Sequence, residues 1–310
     1  MNEIAAGIVI YNPNDIQRFE NSIDSIVQQF PKVYLFDNST KSFNFTHHYD
    51  NVVYITEHKN LGVAHALNIM MAYADRDGFE WLVTMDQDSI LPKNIIEAYE
   101  THINDPKIAI ICPQVIDKRR AYMHVIKEPS REFVSECITS GSCTSIDVWK
   151  RIGKFDDWLF VDLVDNDFCK RVIASGYKIL RLNTFILNQE FGEITPKSKR
   201  VQTFWIQVAK ILHNQNFAKF SYKKIVKPMR VYYTNRNIIY VNRKLRKYGP
   251  VAYENYNCNG YLGFWISFNF PSLLRAQNKH AVWKAIVNGL RDGRNKQVEE
   301  WSSVSQNERF

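Results

Sequence analysis

The stretch that decides the fold is WLVTMDQDSI, residues 81–90. Trp81, Leu82, Val83 and Met85 form an apolar run that stops at Asp86-Gln87-Asp88-Ser89 and resumes at Ile90. A short continuous apolar run bounded by polar residues reads as a strand buried on both faces. Such a strand ending on two carboxylates needs either a cation at its end or a turn that uses the acids as caps. In an extended segment, residues i and i+2 point the same way, so Asp86 and Asp88 would face one ligand. Two hard oxygen donors suit Mg2+ or Mn2+, ions that keep waters and bridge to phosphates. The plainer alternative is that Asp88 or Ser89 caps a helix following Pro92.

Residues 4–11, 33–36, 52–56 and 108–112 read as further strands. Between them, 14–30, 63–75 and 93–102 carry helical periodicity, with Ile16, Phe19, Ile23, Ile26 and Val27 on one face of the first. This alternation predicts an α/β fold with right-handed crossovers and a mostly parallel central sheet. Ligands of such sheets sit beyond the carboxyl ends of the strands, and Tyr11-Asn12, Asp37-Asn38 and Asp86-Gln87-Asp88 all fall there. After Cys112 the pattern loosens into shorter, mixed segments, with a helix over 165–175. From 196 onward the sequence reads as an appended, basic, aromatic-rich helical region, and we expect a division into 1–220 and 221–310.

With 310 residues, 45% hydrophobic and 14% aromatic, the chain can bury a sizeable core, which excludes wholesale disorder. Five scattered cysteines without a CxxC pair indicate neither a disulfide framework nor a zinc knuckle. The start, MNEIAAGIVIYNP, lacks the basic and long apolar regions of a signal peptide, and no stretch approaches a membrane span, so a cytoplasmic protein is expected. The net charge of +8 is unevenly placed. Residues 196–250 hold fourteen Lys or Arg and no Asp or Glu, whereas the rest of the chain holds 26 basic and 32 acidic residues. Such a block is either a solvated face or a surface for an anionic partner: phosphate groups, nucleic acid or acidic lipid. Within it, Arg230 and Arg236 with Tyr232 and Tyr233 suit a diphosphate clamp. The aromatic segment 261–270 reads either as a shallow membrane contact or as dimer or domain packing.

In chain order, IVIYNPN, FDNST, NLGVAHALN, MDQDS, TSGSC, FVDLVDNDFCKR and YYTNRN resemble family 2 glycosyltransferases of the GT-A fold, and are most similar to their rhamnosyltransferase-like branch. The matching pieces span roughly residues 4–245. The resemblance implies that Tyr11, Asn12 and Asp37 hold the base of a nucleotide-diphosphate sugar donor, although Asp37-Asn38-Ser39 also reads as an ordinary Asx turn. Asn60 and Gly62 would turn the chain into a helix whose N-terminus lies near phosphate, with Asn68 a cap-to-loop tie. Asp86 and Asp88 become the metal ligands. Asp165 matches the catalytic base and Asp167 the acid that follows it, with Asp162 as the alternative register. Ser140 and Gly141 would approach the acceptor, or form a plain turn. Trp149, Trp158 and Phe160 are candidates for stacking on a sugar, or for the core. The family's metal-binding histidine in an HxxG pattern is replaced here by Gln189, in Asn188-Gln189-Glu190-Phe191-Gly192, and a neutral amide is the poorer ligand.

The chemistry this implies is single displacement with inversion: a carboxylate deprotonates the acceptor hydroxyl while the metal side stabilises the departing diphosphate. The resemblance points to dTDP-rhamnose as donor, with a UDP-hexose or UDP-galactofuranose second. The acceptor would be a saccharide, lipid-linked through a polyprenyl diphosphate, in bacterial surface polysaccharide synthesis at the inner face of the cytoplasmic membrane. The rival from another class is a non-catalytic nucleotide-sugar or carbohydrate-binding module. A nucleic-acid binder is disfavoured, because acids at strand ends repel a phosphate backbone.

Overall fold

Two apolar runs set the architecture. β1 (Ile4–Ile10) and β4 (Trp81–Asp86) are buried along almost their whole length, as strands covered on both faces must be. They pair in parallel, with Ile8 opposite Met85 and Val9 opposite Asp86. β2 (Val33–Asp37) lies parallel on the other side of β1, placing Ile10 opposite Asp37. β3 (Val52–Thr56) completes the parallel half. α1 (Ile16–Val27) sends Phe19, Ile23 and Ile26, spaced four and three apart, into the same core. This computed structural model describes residues 3–13, 16–40 and 49–303; the expected helix start at Asn14 lies outside them.

The second half of the sheet departs from the looser reading of the sequence. β5 (Ile108–Ile116), β6 (Arg131–Val134), β7 (Ser142–Ser145) and β8 (Lys178–Asn188) extend it to eight strands in the order β3-β2-β1-β4-β7-β5-β8-β6. β7 runs antiparallel between β4 and β5, and β6 pairs antiparallel with β8. β7 was invisible to periodicity because its sequence, SCTS, is fully buried yet small and polar. α2 (Val63–Arg76), α3 (Ile95–Glu100), α4 (Ile146–Ile152) and α5 (Val164–Ala174) complete this part; α3 is shorter than the 93–102 expected.

The chain forms two compact units, with a division at Gln189. One comprises the chain to Val115 together with Val125–Gln189, the other Ile116–His124 and Glu190–Ser302. The second unit contains a small antiparallel sheet of β9 (Ile194–Pro196) and β10 (Tyr222–Lys224). Its helices are α6 (Lys199–Ile211), α7 (Pro228–Lys244), α8 (Tyr261–Phe264), α9 (Phe270–Arg275) and α10 (Lys279–Asn295). α7 and α10 pack closely around Val231, Val282, Ala285 and Ile286; a Cβ at Gly289 would come within 2.6 Å of the Tyr232 carbonyl oxygen.

Gly62, just before α2, has φ 90° and ψ 169°, a backbone region that essentially only glycine enters. A Cβ there would lie 2.6 Å from the Phe160 carbonyl oxygen, which also accepts the Val63 N–H at 2.7 Å. We expect Gly62→Ala to cost about 3 kcal/mol from strain and clash together, read as a lower midpoint in urea unfolding with an unchanged slope.

Candidate active site

Strand register sets three polar strand ends side by side: Tyr11-Asn12, Asp37-Asn38 and Asp86-Gln87. The middle residue of Asp-Gln-Asp fastens them. Gln87 Oε1 accepts the Tyr11 N–H at 2.7 Å, and Gln87 Nε2 donates to the Tyr11 carbonyl at 3.2 Å. The Asn12 N–H donates to Ser39 Oγ at 2.8 Å. Asn38 donates to the Gly62 carbonyl at 3.0 Å and accepts the Leu61 N–H at 2.8 Å, while Asn60 accepts the Gly62 N–H at 3.0 Å. Tyr11, Asn12, Asn60 and Gly62 thus form one connected ledge on which Tyr11 is exposed.

Asp37 has another part. It is buried, its Oδ1 accepts the Ser39 N–H at 2.8 Å, and its Oδ2 accepts the Tyr54 hydroxyl. Burial and that hydrogen bond raise the Tyr54 pKa, so the tyrosine stays a donor. Asp37 stiffens the ledge as an Asx turn with a tyrosine attached. Asn68 is likewise a tie: it donates to the Phe155 carbonyl at 2.8 Å and accepts from Trp149 Nε1 and the Phe155 N–H, both at 3.0 Å. That bond also explains Trp149, which is core.

The chain turns after Asp86, with the Ser89 N–H reaching the Asp86 carbonyl at 3.3 Å and Arg18 Nε donating to the Asp88 carbonyl at 2.7 Å. The acid pair is therefore presented by a turn, not by the extended strand end that the i, i+2 argument supposed. Gln189 Nε2 donates to Asp86 Oδ2 at 2.6 Å. Its Oε1 is buried and has no hydrogen-bond partner. An orphaned amide oxygen on a side chain bound to the Asp86 carboxylate, with Asp88 two residues on, is a donor set that fits a hard divalent ion. Among the described residues no three His, Cys, Asp or Glu side chains gather to hold a metal, so water or substrate oxygens would complete the shell.

Ser140 and Gly141 lie beneath this turn. Ser140 is buried, and its Oγ accepts the Asp86 N–H at 3.2 Å. Gly141 donates its N–H to the Thr84 carbonyl at 2.7 Å and accepts the Tyr99 hydroxyl at 2.5 Å. Both residues support the site rather than line it. Going back along the chain, the Thr139 carbonyl accepts the Thr84 hydroxyl at 2.6 Å, Cys137 Sγ lies 3.7 Å from Cys169 Sγ, and Glu136 accepts Asn166 Nδ2 at 2.9 Å. Asn166 neighbours Asp165. Glu136 to Ser140 is four residues, at most about 14 Å of extended chain. One short segment therefore reaches both the backbone of Asp86 at the end of β4 and the Asn166 side chain beside Asp165 at the start of α5.

Asp162 and Leu163 enter α5 with φ 67° and 62°, left-handed values that cost non-glycine residues roughly 1–2 kcal/mol each. Within α5, Asp165 and Asp167 are two residues apart and so lie about 200° apart around the helix axis. Asp165 is half-buried, with the Asn166 N–H on its Oδ1 at 3.0 Å. Burial, helped by Cys137, Glu136 and Asp162, pushes its carboxyl up to about 7. Asp167 is fully buried, and its Oδ2 accepts Arg171 Nε at 3.0 Å and Nη2 at 2.7 Å. Arg171 also donates to the carbonyls of Ile152 and Lys154. Asp167 is thereby a structural anchor of α5, not a second acid open to substrate.

In the second unit, Arg230 is exposed in the first turn of α7, whereas Arg236 is buried, with its guanidinium 4.7 Å from the Tyr233 ring and Nε on Asn237 Oδ1. Burial places Arg236 in the packing, and the two do not present a matched clamp. A cationic cluster that sequence reasoning missed gathers elsewhere in that unit. Lys219 is half-buried, donates to Asn216 Oδ1 at 2.8 Å, and is pushed down to about 8 by burial and by Lys224, Arg120 and Arg275. Arg120 sits 5.4 Å from the Tyr222 ring and Arg275 4.8 Å from the Phe220 ring. No sequence signal links these residues, which come from three distant segments.

The raised Asp165 carboxyl has a signed consequence. Between about pH 4 and its own pKa of about 7 the native state holds a proton that the unfolded chain has released, so its ionisation erodes stability as pH rises. We expect Asp165→Asn to raise the melting temperature more at pH 8 than at pH 4, measured by calorimetry. Asp167→Asn should act oppositely and strand a buried guanidinium, costing about 3–5 kcal/mol in denaturant titrations.

The Glycosyl transferase family 2 model matches residues 6–144. The dTDP-rhamnosyl transferase RfbF of Shigella flexneri is 29% identical over 193 residues, which is 56% of this chain and 64% of that protein, so the match spans less than two thirds of the relative's length. A crystal structure of GalNAc-T7 with UDP, GalNAc and Mn2+ has a TM-score of 0.51 at 10% identity, covering 86% of this chain and 56% of that one. The mannosyltransferase PcManGT from Pyrobaculum calidifontis, solved with GDP-Man and Mn2+, gives 0.49 at 15% identity over 94% and 86% of the two chains. Residues 6–144 thus match family 2 glycosyltransferases, the fold is of the GT-A type, and the chain is similar to the rhamnosyltransferase-like branch.

Proposed function

We propose that this protein transfers a sugar from a nucleoside diphosphate donor to a saccharide hydroxyl with inversion at the anomeric carbon. The observation that carries the reading is the segment 136–140, which ties a half-buried carboxyl with a pKa of about 7 to the acid-tipped end of β4. A base is most effective when its pKa lies near the working pH. Asp165 takes the proton of the acceptor hydroxyl as that oxygen bonds to the anomeric carbon, and the nucleoside diphosphate leaves from the opposite face with the bonding pair. Asp167 holds α5 in place through Arg171. Tyr11 and Asn12 receive the nucleotide on the strand-end ledge, which Asp37, Asn60 and Gly62 brace.

A divalent ion, Mg2+ or Mn2+, would be held by Asp86, Asp88 and Gln189 Oε1, and when bound it supplies positive charge to the diphosphate. Similarity to a dTDP-rhamnosyl transferase supports dTDP-L-rhamnose as donor. The cationic cluster of Arg120, Lys219 and Arg275, walled by Tyr222 and Phe220, suits the diphosphate of a lipid-linked acceptor. No helix among the described residues is long and apolar enough to cross a membrane, so contact with a lipid-borne acceptor would be peripheral, as in assembly of a surface polysaccharide such as O-antigen.

The test is a panel of nucleotide sugars, assayed for transfer and slow donor hydrolysis with and without Mn2+. Turnover should be greatest with dTDP-rhamnose, and its kcat/KM should climb with pH to a plateau above about 7. Asp165→Asn should lower kcat by about 10²-fold or more while donor binding persists. An Asp165→Asn protein that turns over as fast as wild type would overturn the assignment of the base, and binding of no donor would overturn the function.

A further inference from the structure

The second unit exposes an apolar ridge that its own packing leaves uncovered. Leu262 is 77% exposed, Ile266 61%, Phe270 47% and Leu274 62%. They recur every four residues along α8, a π turn over Trp265–Asn269, and α9. In a plain α-helix a spacing of four drifts by about 40° per step. The wider π turn in the middle drifts the other way, so the four side chains stay in one line. The opposite face is pinned. Phe264 is buried and stacks on Phe268 at 5.0 Å. Asn269 and Asn235 exchange two hydrogen bonds of 2.8 Å, both fully buried, and the Tyr261 hydroxyl donates to Asn235 at 3.2 Å. The ridge is therefore held outward by a rigid, satisfied polar lock.

The charge around it selects the occupant. Between Pro196 and Arg291 the chain has eighteen Lys or Arg and a single acid, Glu254. Directly after the ridge come Arg275 and the exposed Lys279, His280 and Lys284. An apolar line followed by exposed cations is the pattern of a segment lying in the headgroup region of an acidic membrane.

We propose that Leu262, Ile266, Phe270 and Leu274 dock this protein on an anionic lipid bilayer, the apolar side chains entering the interface and the basic residues beyond Leu274 meeting lipid phosphates. This deepens the peripheral contact proposed above, and it stands without the sugar-transfer reading because lipid binding needs no donor.

The experiment is flotation of the full chain with vesicles of phosphatidylcholine alone or with phosphatidylglycerol, at low and high salt. Wild type should bind the phosphatidylglycerol vesicles and be released by salt. Leu262→Asp with Leu274→Asp should weaken binding at least tenfold, roughly the loss of one or two buried leucines, and Lys279→Glu with Lys284→Glu should weaken it while leaving the ridge intact. Both pairs are exposed, so circular dichroism and slow donor hydrolysis should match wild type. Absence of vesicle binding by wild type, or wild-type binding by the Leu262→Asp, Leu274→Asp protein, would sink the proposal. So would a wild-type dimer in light scattering that the same pair of substitutions dissociates without any lipid binding, which would assign the ridge to a second copy of the chain.

Discussion

The site depends on one pairing, that of β7 against β4 with Thr84 opposite Ser142. Thr84 uses both ends of its polar complement: its hydroxyl binds the Thr139 carbonyl and its own carbonyl binds the Gly141 N–H. Those two bonds fix the chain entering β7, put Ser140 under the Asp86 N–H, and send Cys137 and Glu136 toward α5. The pairing needs small side chains, because β7 is buried at all four positions. Larger residues would press into the layers packed on the two faces of the sheet, and the two groups of acids would lose their common frame.

Asp165 and Asp167 show how burial assigns roles. They lie two residues apart in the first turn of one helix, where the dipole favours negative charge by about 0.3–1 kcal/mol. That is less than one pKa unit, yet the Asp165 carboxyl moves from 3.8 to about 7. Desolvation wins at Asp165, and the neighbouring Cys137, Glu136 and Asp162 add to it, while only the Asn166 N–H pulls the other way. At Asp167 the Arg171 guanidinium answers the charge. Of the two, Asp165 is left as the group available for acid–base work, and Asp167 is tied up in holding α5. Helix geometry itself turns the two carboxyls to different surroundings, because residues two apart lie about 200° apart around the axis.

The parallel half of the fold was legible because strands buried on both faces are apolar without interruption, as in β1, β2 and β4. Their register then followed, and with it the row of polar strand ends. β7 was not legible, since four small polar residues carry no period. The ledge was readable as residues but not as bonds: Gln87, passed over between two acids, makes the reciprocal contact to Tyr11, and Asp37 is answered by Tyr54 from the neighbouring strand. Arg236 looked like a surface cation because composition cannot tell which face of α7 meets α10. The cluster of Lys219, Arg120 and Arg275 is assembled by folding alone. The segment 261–270 was marked by its aromatics, but its exposed line through Leu274 was not, because a π turn keeps a spacing of four in register where a period of 3.6 would not.

Charge is segregated along the chain in a way that a single mixed surface could not match. Carboxylates at the end of β4 and the start of α5 would repel a phosphate or an acidic membrane over roughly a Debye length, ~8 Å at physiological salt. The region from Pro196 to Arg291, with its single acid, carries the opposite sign. Keeping the acids in the first unit and nearly excluding them from this stretch lets one chain hold a desolvated base and still attract anionic groups elsewhere. The few acids of the second unit are consistent with this: Asp117 is wrapped by Arg119 and Arg120, and Glu193 meets Lys227. Both are answered by neighbouring cations, and the stretch from Pro196 to Arg291 itself holds a single acid against eighteen Lys or Arg, so its local field stays positive.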